Sequence, residues 1–229
     1  MTIELRDAES MTPTRALVVS YLTLRRLIGW VGILMPFVIR LGDYWLEGVW
    51  SSESISAYYY TRMRDVFTGT LVVTGALLSC YRGPGTRDNV VTTIAGLAAV
   101  GIALFPIDPE YSPITLARFG ATLSDACYKN HGPLGYHFYA VTIFFGLAAY
   151  LVYFRFPLPS VPTITPQKLQ RNRIYRLCGV VMAVSFVVIA AVKYGSKGGS
   201  IFWPETTAIV AFGAAWLVKG QAILRDPPL

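Results

Sequence analysis

The stretch Ser54–Gly83, SISAYYYTRMRDVFTGTLVVTGALLSCYRG, decides how this chain is read. It opens on hydroxyls and three consecutive tyrosines and passes through Arg62, Arg64 and Asp65. An apolar series from Val66 to Cys80 follows, closed by Arg82. Length and pattern predict one membrane-spanning helix whose first two turns carry the titratable groups. Ionisable side chains at membrane depth are costly and are kept mainly where they pair or act. On such a helix Tyr58, Arg62, Asp65 and Gly69 share a stripe, with Arg64 on a neighbouring face. Gly69 would let another helix approach beneath the charged turn. The simpler expectation is structural, with Asp65 pairing with Arg62 or with a basic group on another helix. The sharper one is a ligand or catalytic site.

The rest of the chain has the same character. Only 14% of its 229 residues are charged and 54% are hydrophobic, whereas a soluble domain has roughly a quarter charged. The deficit runs along the whole length, so no separate soluble domain is expected. Net charge is +7, but the basic residues form no nucleic-acid-like stripe, and no nucleic-acid partner is expected. Three cysteines, Cys80, Cys127 and Cys178, are too few for a disulfide framework. The N-terminus MTIELRDAES is acidic and polar, unlike a removable signal peptide, so the first apolar helix is expected to insert and stay.

Six segments are apolar enough over about 17–25 residues to be candidate spans. They are Leu24–Leu41, Asp65–Tyr81, Val90–Pro106, Leu134–Phe154, Ile174–Lys193 and Pro204–Lys219. Residues 11–23 either extend the first helix or lie along the membrane surface. The expected fold is therefore an all-α polytopic membrane helix bundle forming one domain over residues 1–229. It comprises an interfacial segment 1–23, a six-helix bundle 24–219 and a tail 220–229. With both termini cytoplasmic, seven of the 20 Lys and Arg residues fall outside: Arg40, Arg62, Arg64, Arg118, Lys129, Lys193 and Lys197. The other thirteen fall inside, as the positive-inside bias requires, so a multi-pass protein of a plasma membrane is expected. The inner connections read as a tight turn, RGPGTRDN, and a proline-spaced basic linker, RFPLPSVPTITPQKLQRNR. The outer ones hold the unusual polar residues, and their many tyrosines and tryptophans suit an interfacial aromatic belt.

In this topology Asp65, Asp108, His131, His137, Lys193 and Glu205 lie at one depth near the outer headgroups. Tyr58, Arg62, Arg64, Asp65, His131, His137 and Glu205 form the candidate ligand or partner site, and Asp65, Asp108 and His137 the candidate catalytic set. Each has a plainer explanation. Pro204-Glu205 suits a helix N-terminus, Lys193 can snorkel and Asp108 can end a helix in a turn. Zinc held by His131, His137 and Asp65 or Asp108, with one position left for water, is chemically allowed. The spacing matches no tight zinc pattern, however, and the expectation is of no cofactor. Ser54 and Ser56 read as helix caps. No phosphate-binding glycine loop and no nucleophile elbow is present.

Ser54–Gly83, the LFPID corner at 104–108, His137 with Phe144-Phe145, and FWPETTAIVAFGAAWLVKG at 202–220 together carry a resemblance. Over about its last three quarters the chain resembles a group of small bacterial membrane proteins with six spans, comparable to the DRAM/Sfk-like proteins of eukaryotes. The resemblance implies the six-span fold and carries over no activity. More distantly the chain is similar to the seven-span hydrolases that include alkaline ceramidases and adiponectin receptors, with a Ser, an Asp and histidines near one leaflet. It departs from them in having one span fewer and no histidines four apart in a last helix.

Three functions compete. The first is a non-enzymatic membrane protein that binds lipid or a partner membrane subunit through its outer face, as an accessory subunit of a larger complex. The second is a metal-dependent membrane hydrolase of lipid amides or esters. The third is a small transporter or proton-coupled channel relaying through Asp65 and His137. Its mid-helix path is thin: Thr70, Thr74, Thr92, Thr93, Thr142, Ser185 and Thr207.

Overall fold

The computed structural model describes residues 13–48, 50, 53–107, 135–158, 165–195 and 199–224. Six long helices carry them: α1 (Pro13–Glu47), α2 (Arg64–Cys80), α3 (Thr86–Leu104), α4 (Gly135–Tyr150), α5 (Pro166–Gly195) and α6 (Phe202–Lys219). A 3₁₀ turn, Ser56–Tyr60, precedes α2, and a π turn, Leu151–Arg155, prolongs α4. No strand occurs among the described residues. Each helix packs on its neighbours in the chain and α6 closes the ring on α1. One end of the bundle, where α2, α4 and α6 begin, is the Glu205 end. The other is the Lys219 end.

Helix limits follow local chemistry. α1 runs on through residues 13–23, so these extend the first helix. It stops at Gly48, whose φ of +72 suits a residue without a Cβ in the left-handed region. α5 begins at Pro166, a position that has no need of an N–H, and Thr165 Oγ1 accepts the Lys168 N–H at 3.2 Å. The basic run QKLQRNR is therefore helix, not linker. The charged turns before α2 are the main correction. Ser54–Gly83 is not one helix, because Thr61 is extended (φ −109, ψ 175). Its hydroxyl bonds the Tyr58 carbonyl and the Met63 N–H, both at 3.1 Å, a local bonding that competes with helix continuation. Tyr58 thus stands apart from the helix that carries Asp65 and Gly69, and the stripe read from the sequence is broken.

The core lies around α6, ten of whose residues are buried. Trp216 is fully buried and meets the rings of Tyr81 at 4.9 Å and Phe156 at 5.1 Å edge-on, a geometry that favours aromatic pairs. Two glycine pairs set the closest approaches. A Cβ on Gly75 would stand 2.6 Å from the Gly96 carbonyl oxygen, and one on Gly213 would stand 2.6 Å from the Gly29 carbonyl oxygen. Small residues of this kind let helix backbones touch. Gly69, expected to serve such an approach, faces open space.

Among the described residues four helices are long and apolar enough to cross a membrane: Tyr21–Glu47, Thr86–Leu104, Gly135–Arg155 and Pro166–Val192. Only 28–39% of each apolar window is buried inside the protein. Leu97, Leu177 and Val187 are about two-thirds exposed. So much outward apolar surface on several helices is the pattern of a membrane protein. The remaining two, α2 and α6, fall outside those bounds of length and apolarity.

Candidate functional site at the Glu205 end

The segment Glu53–Tyr60 lies across the helix ends here, and its bonds define the site. Ile201 N–H and Phe202 N–H both donate to the Glu53 carbonyl, at 2.7 and 3.0 Å. Glu205, on the first turn of α6, accepts the Ser54 hydroxyl at 3.2 Å and the Ile55 N–H at 2.5 Å. Ser54 Oγ also accepts the Ser56 N–H at 3.1 Å. Tyr60 O–H donates to the Ile107 carbonyl at 2.5 Å.

His137, buried near the start of α4, completes the network. Its Nδ1 lies 2.7 Å from the Phe105 carbonyl and its Nε2 lies 3.0 Å from Ser56 Oγ. A carbonyl only accepts, so Nδ1 carries the proton. Nε2 then holds a lone pair, and the Ser56 hydroxyl donates to it. Ser56 is 8% exposed and His137 4%. A hydroxyl on an imidazole that is oriented by a third group is the arrangement of an activated nucleophile. It is equally how a buried histidine satisfies both nitrogens.

The structure thus brings His137, Glu205 and the Tyr58 turn together through Ser54, Ser56 and Phe105. Tyr58 is fully buried, 6.3 Å from the Phe202 ring. It does not gather the charged residues. Arg62 pairs with Glu47 at 2.8 Å, not with Asp65. Arg64 lies on Tyr59, with 2.9 Å from its Nη2 to the phenol oxygen. Asp65 is exposed on the first turn of α2, with no hydrogen bond or ion pair to His137, Glu205 or Arg62 among the described residues. Asp108 and His131 lie outside the described residues, as does the side chain of Lys193.

Zinc fits the described residues poorly. The one free lone pair of His137 is engaged by Ser56. Among the described residues no three of His, Cys, Asp and Glu are grouped as ligands would be. The mid-helix hydroxyls of Thr70, Thr92 and Thr207 bond carbonyls four residues back, at 2.6, 2.9 and 2.8 Å, as helix-bound threonines commonly do.

The opposite end of the bundle holds a second polar network. There Arg155 grips Asp88 twice, at 2.6 and 3.2 Å, and Tyr21 O–H donates to the Arg82 carbonyl. Arg26 Nε bonds the Gly220 carbonyl at 2.8 Å, which satisfies the α6 C-terminus with a cation. The signal was available, since Asp88 sits in the first turn of a helix and Arg155 closes an apolar run. Comparison of the chain with protein-family models, with curated proteins and with solved structures returns no match.

Proposed function

We propose that this is a six-span protein of the bacterial inner membrane with both termini in the cytoplasm. Its Glu205 end, on the extracytoplasmic side, is a rim that binds lipid or a partner membrane subunit. The described Lys and Arg side chains support this insertion. Arg25, Arg26, Arg82, Arg155, Lys168, Arg171 and Lys219 gather at the other end, against Arg40, Arg62 and Arg64 here, as a positive-inside bias would have it.

The observation that carries the binding role is the division of labour at the rim. Glu205 and His137 are turned inward to fix the Ser54–Tyr60 segment. Arg64 and Asp65 beside them stay exposed, with Trp45, Trp50 and Trp203 on the same rim. Ordered backbone with exposed charge and aromatic rings is the make-up of a recognition surface. A photo-crosslinking residue at position 65 in intact membranes tests the reading. A discrete lipid or protein adduct is expected there and not at Gly69, one turn on. Equal, diffuse adducts at both positions would contradict it.

The Ser56–His137 contact favours a second reading, a serine hydrolase of lipid esters or amides. Ser56 Oγ would form the bond to the acyl carbon. Nε2 of His137 would take the hydroxyl proton and pass it to the leaving alcohol or amine. A fluorophosphonate probe that labels the parent and not Ser56→Ala would establish it. Absence of label on both would end it.

A further inference from the structure

Arg40, two turns before the end of α1 at the Glu205 end, is half-buried among aromatic rings. Its guanidinium carbon lies over Phe202 at 4.4 Å, Trp50 at 5.3 Å and Trp203 at 5.4 Å. Tyr44 stacks in turn on Trp50 at 4.4 Å. Residues of α1, of the segment after it and of the first turn of α6 thus converge on one cation. The rings attract its charge but offer no oxygen to its five N–H donors. Among the described residues no hydrogen bond and no ion pair takes those donors up. Nearby acids do not serve it. Glu47 pairs with Arg62, Glu205 holds Ser54 and Ile55, and the fully buried Asp43 makes no ion pair with Arg40.

An arginine that only reached for water would need no such setting. Ring contacts on several sides hold the planar fork in place, so less freedom is lost when its donors bind two oxygens of one group. A phosphodiester presents two such oxygens. The rings beside the cation stay open, Trp50 at 51% exposure and Trp203 at 57%, and indoles of this kind settle at the level of lipid headgroups. Along α1, Trp30, Leu34, Phe37 and Leu41 follow one stripe at steps of four, three and four, each between 42% and 52% exposed. Phe37 and Leu41 flank Arg40 in the helix, so the apolar stripe is continuous with the cation. Charge at one end and an apolar strip beyond it match a molecule with a phosphate and acyl chains, where a soluble phosphate would use the cation alone.

We propose that Arg40, framed by Trp50, Phe202 and Trp203, holds the phosphodiester of a membrane phospholipid whose chains lie along the α1 stripe. This deepens the rim reading and rests on it for the leaflet. Ligand that binds the folded chain raises its unfolding midpoint, so midpoints of the full chain in a sugar detergent test the proposal. Dioleoyl phosphatidylglycerol is compared with dioleoylglycerol, which has the same chains and no phosphate. The parent should show a saturable rise with the phospholipid and none with dioleoylglycerol. Arg40→Gln should need about tenfold more phospholipid for the same rise, the loss of one charge-assisted contact. Arg40→Lys, which keeps the charge and loses the planar fork, should fall between the two. An equal rise with both lipids, or none with either, overturns the proposal. So does a response of Arg40→Gln equal to the parent's; should that variant not fold, a response of Arg40→Lys equal to the parent's does the same. Discrete adducts at position 65 without this phosphate dependence would sink the Arg40 site and leave the rim reading intact.

Discussion

His137 joins Ser56 to the Phe105 carbonyl, with 3.0 Å on one ring nitrogen and 2.7 Å on the other. One buried ring therefore ties the turn before α2 to the end of α3 through α4. Replacing His137 by Ala leaves the buried Ser56 hydroxyl and the part-buried Phe105 carbonyl without their partner, a cost of about 1–3 kcal/mol. The unfolding midpoint in detergent should fall by roughly 2–4 °C per kcal/mol. His137→Asn, whose amide offers one donor and one acceptor, should recover part of the loss. A midpoint unchanged in His137→Ala would show that the ring ties nothing.

Glu205 holds Ser54 and Ile55 through its two oxygens. Glu205→Gln keeps one acceptor and Glu205→Ala keeps none, so the damage should rise in that order. Each hydrogen bond to a charged group contributes about 1.5–3 kcal/mol. Chymotrypsin should report the change locally, cutting at Tyr58–Tyr60 faster in Glu205→Ala than in the parent. Equal cutting in all three proteins would mean that other bonds suffice to hold this segment.

Asp88 and Arg155 should respond unequally to removal. The Asp88 side chain is 5% exposed and that of Arg155 is 22% exposed. Arg155→Ala leaves a buried carboxylate without its hydrogen-bonded partner, whereas Asp88→Ala leaves a guanidinium that can turn to water. Breaking a buried pair costs about 3–5 kcal/mol, and partial exposure reduces that here. Arg155→Ala should therefore be the more damaging of the two by chemical unfolding. The reverse order would mean that the carboxylate is not isolated in the variant.

Glycines of the same helix should separate by what lies opposite them. Gly75→Ala places a methyl 2.6 Å from the Gly96 oxygen, and α2 must then move away from α3. Overpacking of this kind costs about 1–3 kcal/mol. Gly69→Ala meets nothing within 4 Å and gains helix propensity of up to about 1 kcal/mol. Midpoints of the two variants should shift in opposite directions. A common direction would contradict the close α2–α3 contact.

Much of the helical plan was legible because long apolar runs closed by Gly, Pro and charge leave few alternatives. Gly75, Gly96 and Gly213 were readable as packing positions for the same reason. Gly69 was not, since a glycine pattern does not say which face meets a neighbour. The turn before α2 was hidden because Thr61 ends the pattern through its own hydroxyl, a local effect weaker in sequence than three tyrosines and an apolar run. His137 and Glu205 stand out in the sequence by rarity and depth. Their partners were not recoverable, because Phe105 acts through its backbone and Ser54 and Ser56 look like ordinary caps. The Asp88–Arg155 pair is hidden in the sequence because its members lie 67 positions apart, on α3 and on the turn that prolongs α4. Only the packing of α3 against α4 brings them together.

The central claim is the insertion of the bundle, with the Glu205 end outside and the Lys219 end inside. In a chain with Cys80, Cys127 and Cys178 replaced by Ser, single cysteines at Asp65 and at Pro84 mark the start of α2 and the turn that follows it. A membrane-impermeant maleimide should label position 65 in intact cells and reach position 84 only after the membrane is opened. Labelling of position 84 in intact cells, with position 65 protected, would contradict the account.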